Sequence, residues 1–232
     1  MTPDEVIDEI LAAFAASGHL DYGESISMQE HMLQAACLAE QNGEDDAVIV
    51  ATLLHDYGHL VCNMPNNTFL EGVDNYHEDV GANALEEWFD QDIVGAIRLH
   101  VDAKRYLCAA TPAYREKLSQ ASITTLEVQG GPMNEEEMAA FREQSGYRLA
   151  LKVRVYDDLG KEQQMERPDL DYYIPKLKAC INRLAGRATP APVPASQVPS
   201  PGPMTTAAQC NHRMVVRARW IYCHSAPACP GT

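Results

Sequence analysis

Leu54-His55-Asp56-Tyr57-Gly58-His59 places a His-Asp pair directly after an apolar run that extends from Ala47 to Leu54. The run predicts a fully buried helix, so the His-Asp pair is expected at the end of a helix inside the core. Imidazole nitrogen and carboxylate oxygen together suit Fe, Mn, Zn or Mg. Two adjacent ligands can hold an ion only if other ligands converge on them from elsewhere in the chain.

Helix signals precede this stretch. Capping boxes begin at Thr2 and Ser27, where a hydroxyl residue is followed three positions later by Glu. They predict two amphipathic helices, which Gly18 and Asn42-Gly43 end. Asp45 then caps the buried helix that carries the His-Asp pair.

Helical patterns also follow the pair, after a predicted loop from Tyr57 to Tyr76. Helix starts or helical periodicity are recognised at His77, Ile93, Pro112, Ser119, Asn134, Tyr147 and Asp169, the last helix being expected to reach Leu184. Strand signals are nearly absent. The sequence therefore predicts an all-α fold, a helical bundle.

The chain of 232 residues has a formal net charge of −15, and the charge is unevenly spread. Residues 1–187 carry all 33 acidic residues and 15 of the 18 Lys and Arg. Such an acidic body argues against nucleic acid or an anionic membrane as a partner, because both are bound by basic surfaces. No apolar run of ~18 residues and no leader segment is visible, so we expect a soluble, cytoplasmic protein without a membrane segment.

The composition changes abruptly at Ala188, where a Pro-rich stretch begins. We therefore expect one domain over residues 1–187, followed by a Pro-rich linker and a disordered C-terminal tail over residues 188–232. Seven Cys, an odd number without CxxC spacing, argue against a disulfide framework or a Cys-rich zinc site.

Histidines are the other ligand candidates. The body contains six, and four of them begin or end apolar helical segments. A single His on such a face is more often a core residue than a ligand. Here several candidates fall on separate inward faces and form one set with two acidic positions: His31, His55-Asp56, His77, His100 and Asp157.

The order of this set resembles the HD-domain superfamily in its dinuclear form. Further segments resemble one branch, the PhnZ-like HD oxygenases, mixed-valent diiron enzymes that cleave carbon–phosphorus bonds. These segments are Tyr22-Gly23-Glu24, Glu30 to Ala36, His55 to His59, Ser122 to Met133 and Arg154 to Asp158, within a match from about Asp21 to Leu184. The Tyr-Gly-Glu loop and the Gln129-Gly130-Gly131-Pro132 segment point to this branch.

The resemblance implies an HD-domain helical bundle with a dinuclear metal site in its core. It assigns two iron ions, Fe(II)/Fe(III), to His31, His55, Asp56, His77, His100 and Asp157, with Asp56 as the bridging ligand. Asp157 is preferred to Asp158 because the Arg-x-x-Asp spacing puts Arg154 and Asp157 on one helix face. Asp158 is then expected to point away.

Substrate contacts follow from the same resemblance. His59, Lys104, Ser122 and Arg154 match positions that grip a phosphonate, a dianion suited to guanidinium, ammonium and hydroxyl groups. Tyr22 and Glu24 match the loop that senses the substrate amine, and with His59 they are the expected catalytic residues. A Glu and a Tyr can also bind a methylated amine, so the degree of N-methylation stays open.

The implied activity is an oxidation. O2 would break the carbon–phosphorus bond of 2-amino-1-hydroxyethylphosphonate or its N-methylated form, giving phosphate and glycine or a glycine betaine. The expected partners are this aminophosphonate, O2 and a pathway hydroxylase dependent on iron and 2-oxoglutarate. Two alternative functions would use the same metal-ligand residues. One is a dinuclear-metal HD phosphohydrolase acting on a small phosphate ester or nucleotide, and the other is a non-catalytic small-molecule sensor.

Overall fold

The computed structural model describes residues 1–22, 25–62 and 75–181. Within these ranges the chain forms eleven helices and no strand, and two isolated bridges pair Asp21 with Ser27 and Phe89 with Ile181. The predicted all-α class is confirmed. The helices are α1 Pro3–Ser17, α2 Met28–Gln41, α3 Asp46–Leu54, α4 Tyr57–Val61, α5 His77–Leu85, α6 Gln91–Ala110, α7 Pro112–Arg115, α8 Gln120–Val128, α9 Glu135–Arg142, α10 Tyr147–Leu159 and α11 Leu170–Cys180.

Local sequence explains several helix starts. Thr2 and Ser27 each form a complete capping box, with the hydroxyl accepting from the N3 backbone N–H and the N3 Glu accepting from the cap residue. Asn134 forms a third with Glu137. At Asp45 the carboxylate accepts from the Val48 N–H and begins α3.

Helix α3 lies at the centre of the bundle. Every residue from Val48 to Leu54 is buried, and α2, α6, α10 and α11 pack around it. His55 is its C-terminal cap residue and Asp56 begins α4, so the His-Asp pair is surrounded by helices. Burial of α3 on all sides thus brings the pair within reach of side chains from several other helices.

The predicted loop from Tyr57 to Tyr76 is wrong at its start, where Tyr57–Val61 forms α4. Gly58 argued against a helix here, because glycine is unfavourable in helix interiors. Glycine is needed at this position because the backbones of α4 and α5 lie in close contact. A Cβ at Gly58 would lie 2.9 Å from the Gly81 nitrogen. Residues 63–74 lie outside the described ranges.

The last helix is shorter than expected. It ends at Cys180, and Ile181 is extended and bridges to Phe89 instead of continuing towards Leu184. No helix in the three described ranges is both long and apolar enough to cross a bilayer. The predicted domain boundary at residue 187 and the tail over 188–232 lie outside these ranges.

Candidate active site

A first set of ligands converges from three helices. His31 lies on α2, His55 at the end of α3 and Asp157 on α10, and all three are buried. The two Nε2 atoms are 3.1 Å apart. Asp157 places Oδ1 3.5 Å from His31 Nε2 and Oδ2 3.7 Å from His55 Nε2.

A second set lies beside the first. His77 is the first residue of α5, and His100 lies in the middle of α6. Their Nε2 atoms are also 3.1 Å apart, and both side chains are buried. Two pairs of imidazoles therefore present the same nitrogen at the same spacing.

Asp56 lies between the two pairs and turns one carboxylate oxygen to each. Its Oδ2 is 3.6 Å from His31 Nε2 and 3.4 Å from His55 Nε2. Its Oδ1 is 3.4 Å from His77 Nε2 and 3.6 Å from His100 Nε2. One carboxylate is thus shared between two ligand sets, the arrangement that a bridging ligand requires.

Hydrogen bonds at Nδ1 fix the tautomer of all four imidazoles. His31 donates to the carbonyl of Gly160 at 2.8 Å, and His55 and His100 donate to the carbonyls three residues before them at 2.7 Å. His77 Nδ1 lies 2.9 Å from Asn75 Oδ1. A carbonyl oxygen only accepts, so each Nδ1 carries the hydrogen and each Nε2 has a lone pair.

The distances between the Nε2 atoms show whether a metal ion would fit between the imidazoles of each pair. Within each pair the two Nε2 atoms face each other at 3.1 Å without a hydrogen to share, which is repulsive unless a cation lies between them. Nitrogens bound at right angles to one ion, at ~2.1 Å, lie about 3 Å apart. The donor set therefore fits two metal ions.

Burial and charge support neutral imidazoles at two of the four positions. Burial lowers the pKa of His55, and burial together with His77 holds that of His100 well below its ordinary value. Burial would lower the pKa of His77, but Asp56 and Glu78 outweigh it and the pKa is raised. Burial would raise the pKa of Asp56, but His55 and His77 outweigh it and the pKa falls well below the usual range. Because a ligand imidazole must be neutral and a ligand carboxylate ionised, metal binding at His77 would displace a proton.

A cluster of cations adjoins the metal site. Lys104 on α6 and Arg154 on α10 are 3% and 4% exposed, values that are rare for these residues. Lys104 Nζ donates to Thr125 Oγ1 at 2.7 Å, and Ser122 is buried one turn before Thr125 on α8. Burial, with a contribution from Arg154, lowers the pKa of Lys104 to about 7.

Asp158 does not point away, and that expectation is wrong. Its carboxylate is buried and accepts from both Arg154 Nη2 and Tyr114 Oη, while Arg154 Nη1 lies 2.7 Å from Asp157 Oδ2. Residues three and four apart are both neighbours on a helix, and a long guanidinium reaches both. Arg154 Nε is buried and has no acceptor among the described residues.

Tyr22 and His59 each stack on a ligand imidazole. The Tyr22 ring lies 3.8 Å from that of His31, and its hydroxyl is 3.4 Å from Asp157 Oδ1. The His59 ring lies 4.1 Å from that of His77, and a nitrogen of His59 falls within 4.8 Å of ligand atoms of Asp56 and His77. Glu24 lies outside the described residues.

Comparison with known proteins gives a consistent result. A model of the HD domain matches residues 28–138. The chain is 41% identical over 182 residues to 1-hydroxy-2-(trimethylamino)ethylphosphonate dioxygenase (glycine-betaine-forming) of Leisingera caerulea, covering 78% of this chain and 93% of that protein. It is 37% identical over 182 residues to hydroxymethylphosphonate dioxygenase of Gimesia maris, with 78% and 90% covered.

The chain belongs to the PhnZ-like HD-domain oxygenases. An uncharacterized protein of Acanthamoeba polyphaga mimivirus is also similar, at 39% identity over 171 residues that cover 72% of this chain and 78% of that one. The predicted family and the prediction of an oxygenase are confirmed, so the oxygenase is preferred to the phosphohydrolase and the sensor.

Several residues of the oxygenase site escaped sequence analysis. Lys161 Nζ lies 3.2 Å from Ser122 Oγ, Thr125 binds Lys104, and Gly160 supplies the carbonyl for His31. A lysine directly after a helix end carries no sequence signal of function, and neither does a backbone carbonyl. The Ser122-x-x-Thr125 spacing was the one available signal, because it puts both hydroxyls on one helix face.

Asn75 provides a test of the second ligand set. Asn75→Ala removes the acceptor of the His77 Nδ1–H, so the ring loses its fixed tautomer and orientation. We expect metal affinity to fall about 10- to 100-fold at one of the two positions, with the other ion retained. The measurement is metal per chain against chelator concentration, with Asn42→Ala, at the exposed end of α2, as the control. Equal loss of both ions would contradict the assignment.

Proposed function

We propose that this oxygenase uses O2 to cleave the carbon–phosphorus bond of a 1-hydroxyphosphonate bearing a 2-amino or 2-trimethylammonium group. The observation that carries the proposal is a buried cluster of cations and hydroxyls directly beside two metal-ligand sets. The names of two relatives, dioxygenases of a trimethylamino-hydroxyethylphosphonate and of hydroxymethylphosphonate, support the reaction class.

The ligand sets would hold two iron ions. His31, His55 and Asp157 would hold one, His77 and His100 would hold the other, and Asp56 would offer one carboxylate oxygen to each. Bound iron would supply a Lewis acid for the substrate oxygens and would pass electrons from the substrate to O2. The protein holds the four imidazoles in one tautomer and keeps the site dry, as every one of these ligands is less than 10% exposed.

Arg154 would be the principal phosphonate contact. Asp157 and Asp158 hold its two terminal nitrogens, so the guanidinium is fixed before the substrate arrives. The Nε–H remains without an acceptor among the described residues, and a phosphonate oxygen would satisfy it. A fixed guanidinium loses little side-chain freedom on binding, which favours affinity.

Lys104, Ser122 and His59 would complete the contacts to the phosphonate. Lys104 is buried with a pKa of about 7, so it is partly neutral at physiological pH before the substrate binds. An entering dianion favours the charged ammonium and raises this pKa. Ser122 adds a hydroxyl donor from α8, and His59 approaches from the side of His77.

The amine end of the substrate would meet Tyr22 and Glu24. The Tyr22 ring covers the outer face of the His31 imidazole and its hydroxyl faces Asp157, so Tyr22 borders the metal-ligand set directly. Burial and then Asp157 raise the pKa of Tyr22 well above its usual value, which keeps the phenol neutral. A neutral aromatic ring and a glutamate carboxylate are both groups that bind a cation of either methylation state.

The stoichiometry separates this reaction from hydrolysis. The carbon bearing the hydroxyl and phosphorus becomes a carboxylate, O2 is the oxidant, and the phosphorus leaves as inorganic phosphate. For 2-amino-1-hydroxyethylphosphonate and O2 the products are glycine and phosphate, and each product gains one oxygen atom. A 1-hydroxylated substrate would have to come from a hydroxylating reaction, and a hydroxylase dependent on iron and 2-oxoglutarate remains a prediction.

The test is phosphate release by iron-loaded protein with three substrates, with and without O2. They are 2-amino-1-hydroxyethylphosphonate, its trimethylammonium analogue and hydroxymethylphosphonate. We expect release only under O2, with ¹⁸O from ¹⁸O₂ in at least one of the two products and a preference for one of the two amines. Release without O2, or products that contain no ¹⁸O from ¹⁸O₂, would overturn the proposal, and a preference for hydroxymethylphosphonate would overturn the amine assignment.

A further inference from the structure

His31 is oriented by a carbonyl that lies outside its own helix. Its Nδ1 donates to the Gly160 carbonyl at 2.8 Å, and Gly160 directly follows the end of α10. His55 and His100 instead donate to carbonyls three residues before them, which α3 and α6 hold in place. Residues 160–169, which connect α10 to α11, lie outside regular secondary structure. The orientation of His31 therefore depends on how this connecting segment is held.

Gln34 holds the connecting segment against α2. Its side-chain Nε2 donates to the Glu162 carbonyl at 2.8 Å, and its Oε1 accepts from the Glu162 N–H at 3.0 Å. Gln34 is 1% exposed, and burial of this degree is uncommon for glutamine. A side-chain amide that bonds both the N–H and the carbonyl of one residue fixes the position and the direction of that piece of backbone.

Gly160 allows the segment to lie directly against the backbone of α2. A Cβ at this position would lie 2.9 Å from the Ala35 nitrogen and 3.1 Å from the His31 carbonyl oxygen. Any side chain there would push the segment away from α2 and lengthen the hydrogen bond from His31 to the Gly160 carbonyl. Gln34 and Gly160 therefore act on the same contact, the first by binding the segment and the second by leaving room for it.

We propose that Gln34 is a positioning residue for the first set of metal ligands, acting on His31 through the backbone of Glu162 and Gly160. His31 and Gln34 are three residues apart on α2 and so lie on the same side of the helix. A fixed Gly160 carbonyl keeps the hydrogen on His31 Nδ1, so that the Nε2 lone pair remains available to a metal ion. The inference rests on the metal ligands of the proposed function and on no property of the substrate.

The test is metal binding by Gln34→Met, measured as metal per chain against chelator concentration. Methionine keeps the length of the side chain but makes neither hydrogen bond to Glu162. We expect the affinity for one of the two ions to fall about 10- to 100-fold, with the other ion retained. Gln41→Met is the matched control, since Gln41 lies at the exposed end of the same helix and donates to Cys37 Sγ at 3.4 Å. We expect the control to bind both ions as the wild type does.

Double variants identify which ion is lost. Asn75→Ala is expected to weaken the ion at the second ligand set, so Gln34→Met combined with Asn75→Ala should weaken both ions, with additive effects. Gln34→Met combined with Gly160→Ala should weaken one ion and leave the other unchanged. Its effect should be clearly less than the sum of the two single effects, because both changes displace the same carbonyl.

The outcomes separate positioning from a general loss of stability. Unchanged affinity for both ions in Gln34→Met, with only the melting temperature lowered, would overturn the proposal. Equal weakening of both ions, or one ion still tightly bound when Gln34→Met is combined with Asn75→Ala, would overturn it too. Gln34→Glu keeps the volume and the acceptor for the Glu162 N–H, and it gives the same test if Gln34→Met does not fold. Metal binding is measured without substrate, so a wild-type protein that binds two ions but oxidises no phosphonate would contradict the proposed function alone.

Discussion

Asp56→Asn is expected to abolish turnover and to remove at least one metal ion per chain. Each carboxylate oxygen of Asp56 faces one pair of Nε2 lone pairs, at 3.4 to 3.6 Å. Asparagine keeps the shape but replaces one oxygen with an NH₂ group, which cannot bind a cation. We expect a loss of activity on the order of 10³-fold or more, as metal assistance contributes several kcal/mol.

The same substitution should not unfold the protein. In the metal-free chain the new amide group can donate to the Nε2 lone pairs of one His pair. Because His55 and His77 hold the pKa of Asp56 low, the ionised carboxylate stabilises the folded chain at neutral pH, so its loss should lower the melting temperature of the metal-free protein without preventing folding. Metal analysis, turnover and thermal unfolding of one preparation separate loss of the site from loss of the fold.

Asp79→Asn is the matched control. The Asp79 side chain is half-exposed and pairs with Arg98 Nη1 at 2.7 Å. Exposed ion pairs contribute about 0–1 kcal/mol, so metal content and turnover should be unchanged. Two ions per chain and near-normal turnover in Asp56→Asn would contradict the bridging assignment, whatever the control shows.

The candidate metal ligands could be selected from the sequence because they combine two signals. His55 and Asp56 end a run in which every residue from Val48 to Leu54 is buried, and an apolar run of that kind is visible in a single sequence. His31 and His100 lie on amphipathic helices where the neighbouring inward positions are apolar. A polar residue at an inward position is conspicuous because burial without a partner is costly.

The backbone carbonyls that orient these imidazoles could not be predicted from the sequence, for a physical reason. His55 and His100 donate to carbonyls three residues earlier, at Thr52 and Ile97, so their orientation follows from local helix geometry. His31 instead depends on Gly160, which is 129 residues away. Any residue has a carbonyl, so no side-chain pattern could reveal this contact before α2 and α10 were seen to pack together.

Asp158 and α4 show the limits of helical periodicity. The Arg-x-x-Asp spacing led to the choice of Asp157 and to the wrong prediction that Asp158 points away from Arg154. The guanidinium of Arg154 reaches both the third and the fourth residue after it in the helix. Helix α4 was missed because its five residues are too few to show a period and contain a glycine. Both errors lie where tertiary contacts, rather than local propensity, decide the structure.

Gly58→Ala is expected to be the most destabilising small substitution near the site. A Cβ at Gly58 would collide with the backbone carbonyl of His77 and lie 2.9 Å from the Gly81 nitrogen. Backbone cannot move aside as a flexible side chain can, so α4 and α5 must separate. Overpacking of this kind predicts a loss of at least ~3 kcal/mol in the free energy of unfolding.

Gly43→Ala is the control for the same change of residue. Gly43 has a φ of +73°, and nothing lies within 4 Å of a Cβ added there. Alanine at this position would therefore have a strained backbone conformation but no steric collision. That strain costs roughly 1–2 kcal/mol. Denaturant unfolding of both variants, without metal, therefore separates the cost of close approach at Gly58 from the general cost of losing a glycine.

Metal binding should distinguish the two variants more sharply than stability does. The residue after Gly58 is His59, and the carbonyl that the new Cβ would strike belongs to the ligand His77, so separating α4 from α5 moves His77 relative to Asp56. Gly58→Ala should lose the ion at the His77 and His100 position, while Gly43→Ala keeps both. Equal stability and equal metal content would mean that α4 and α5 can shift together without cost. The close approach at Gly58 would then have no part in holding the second ligand set in place.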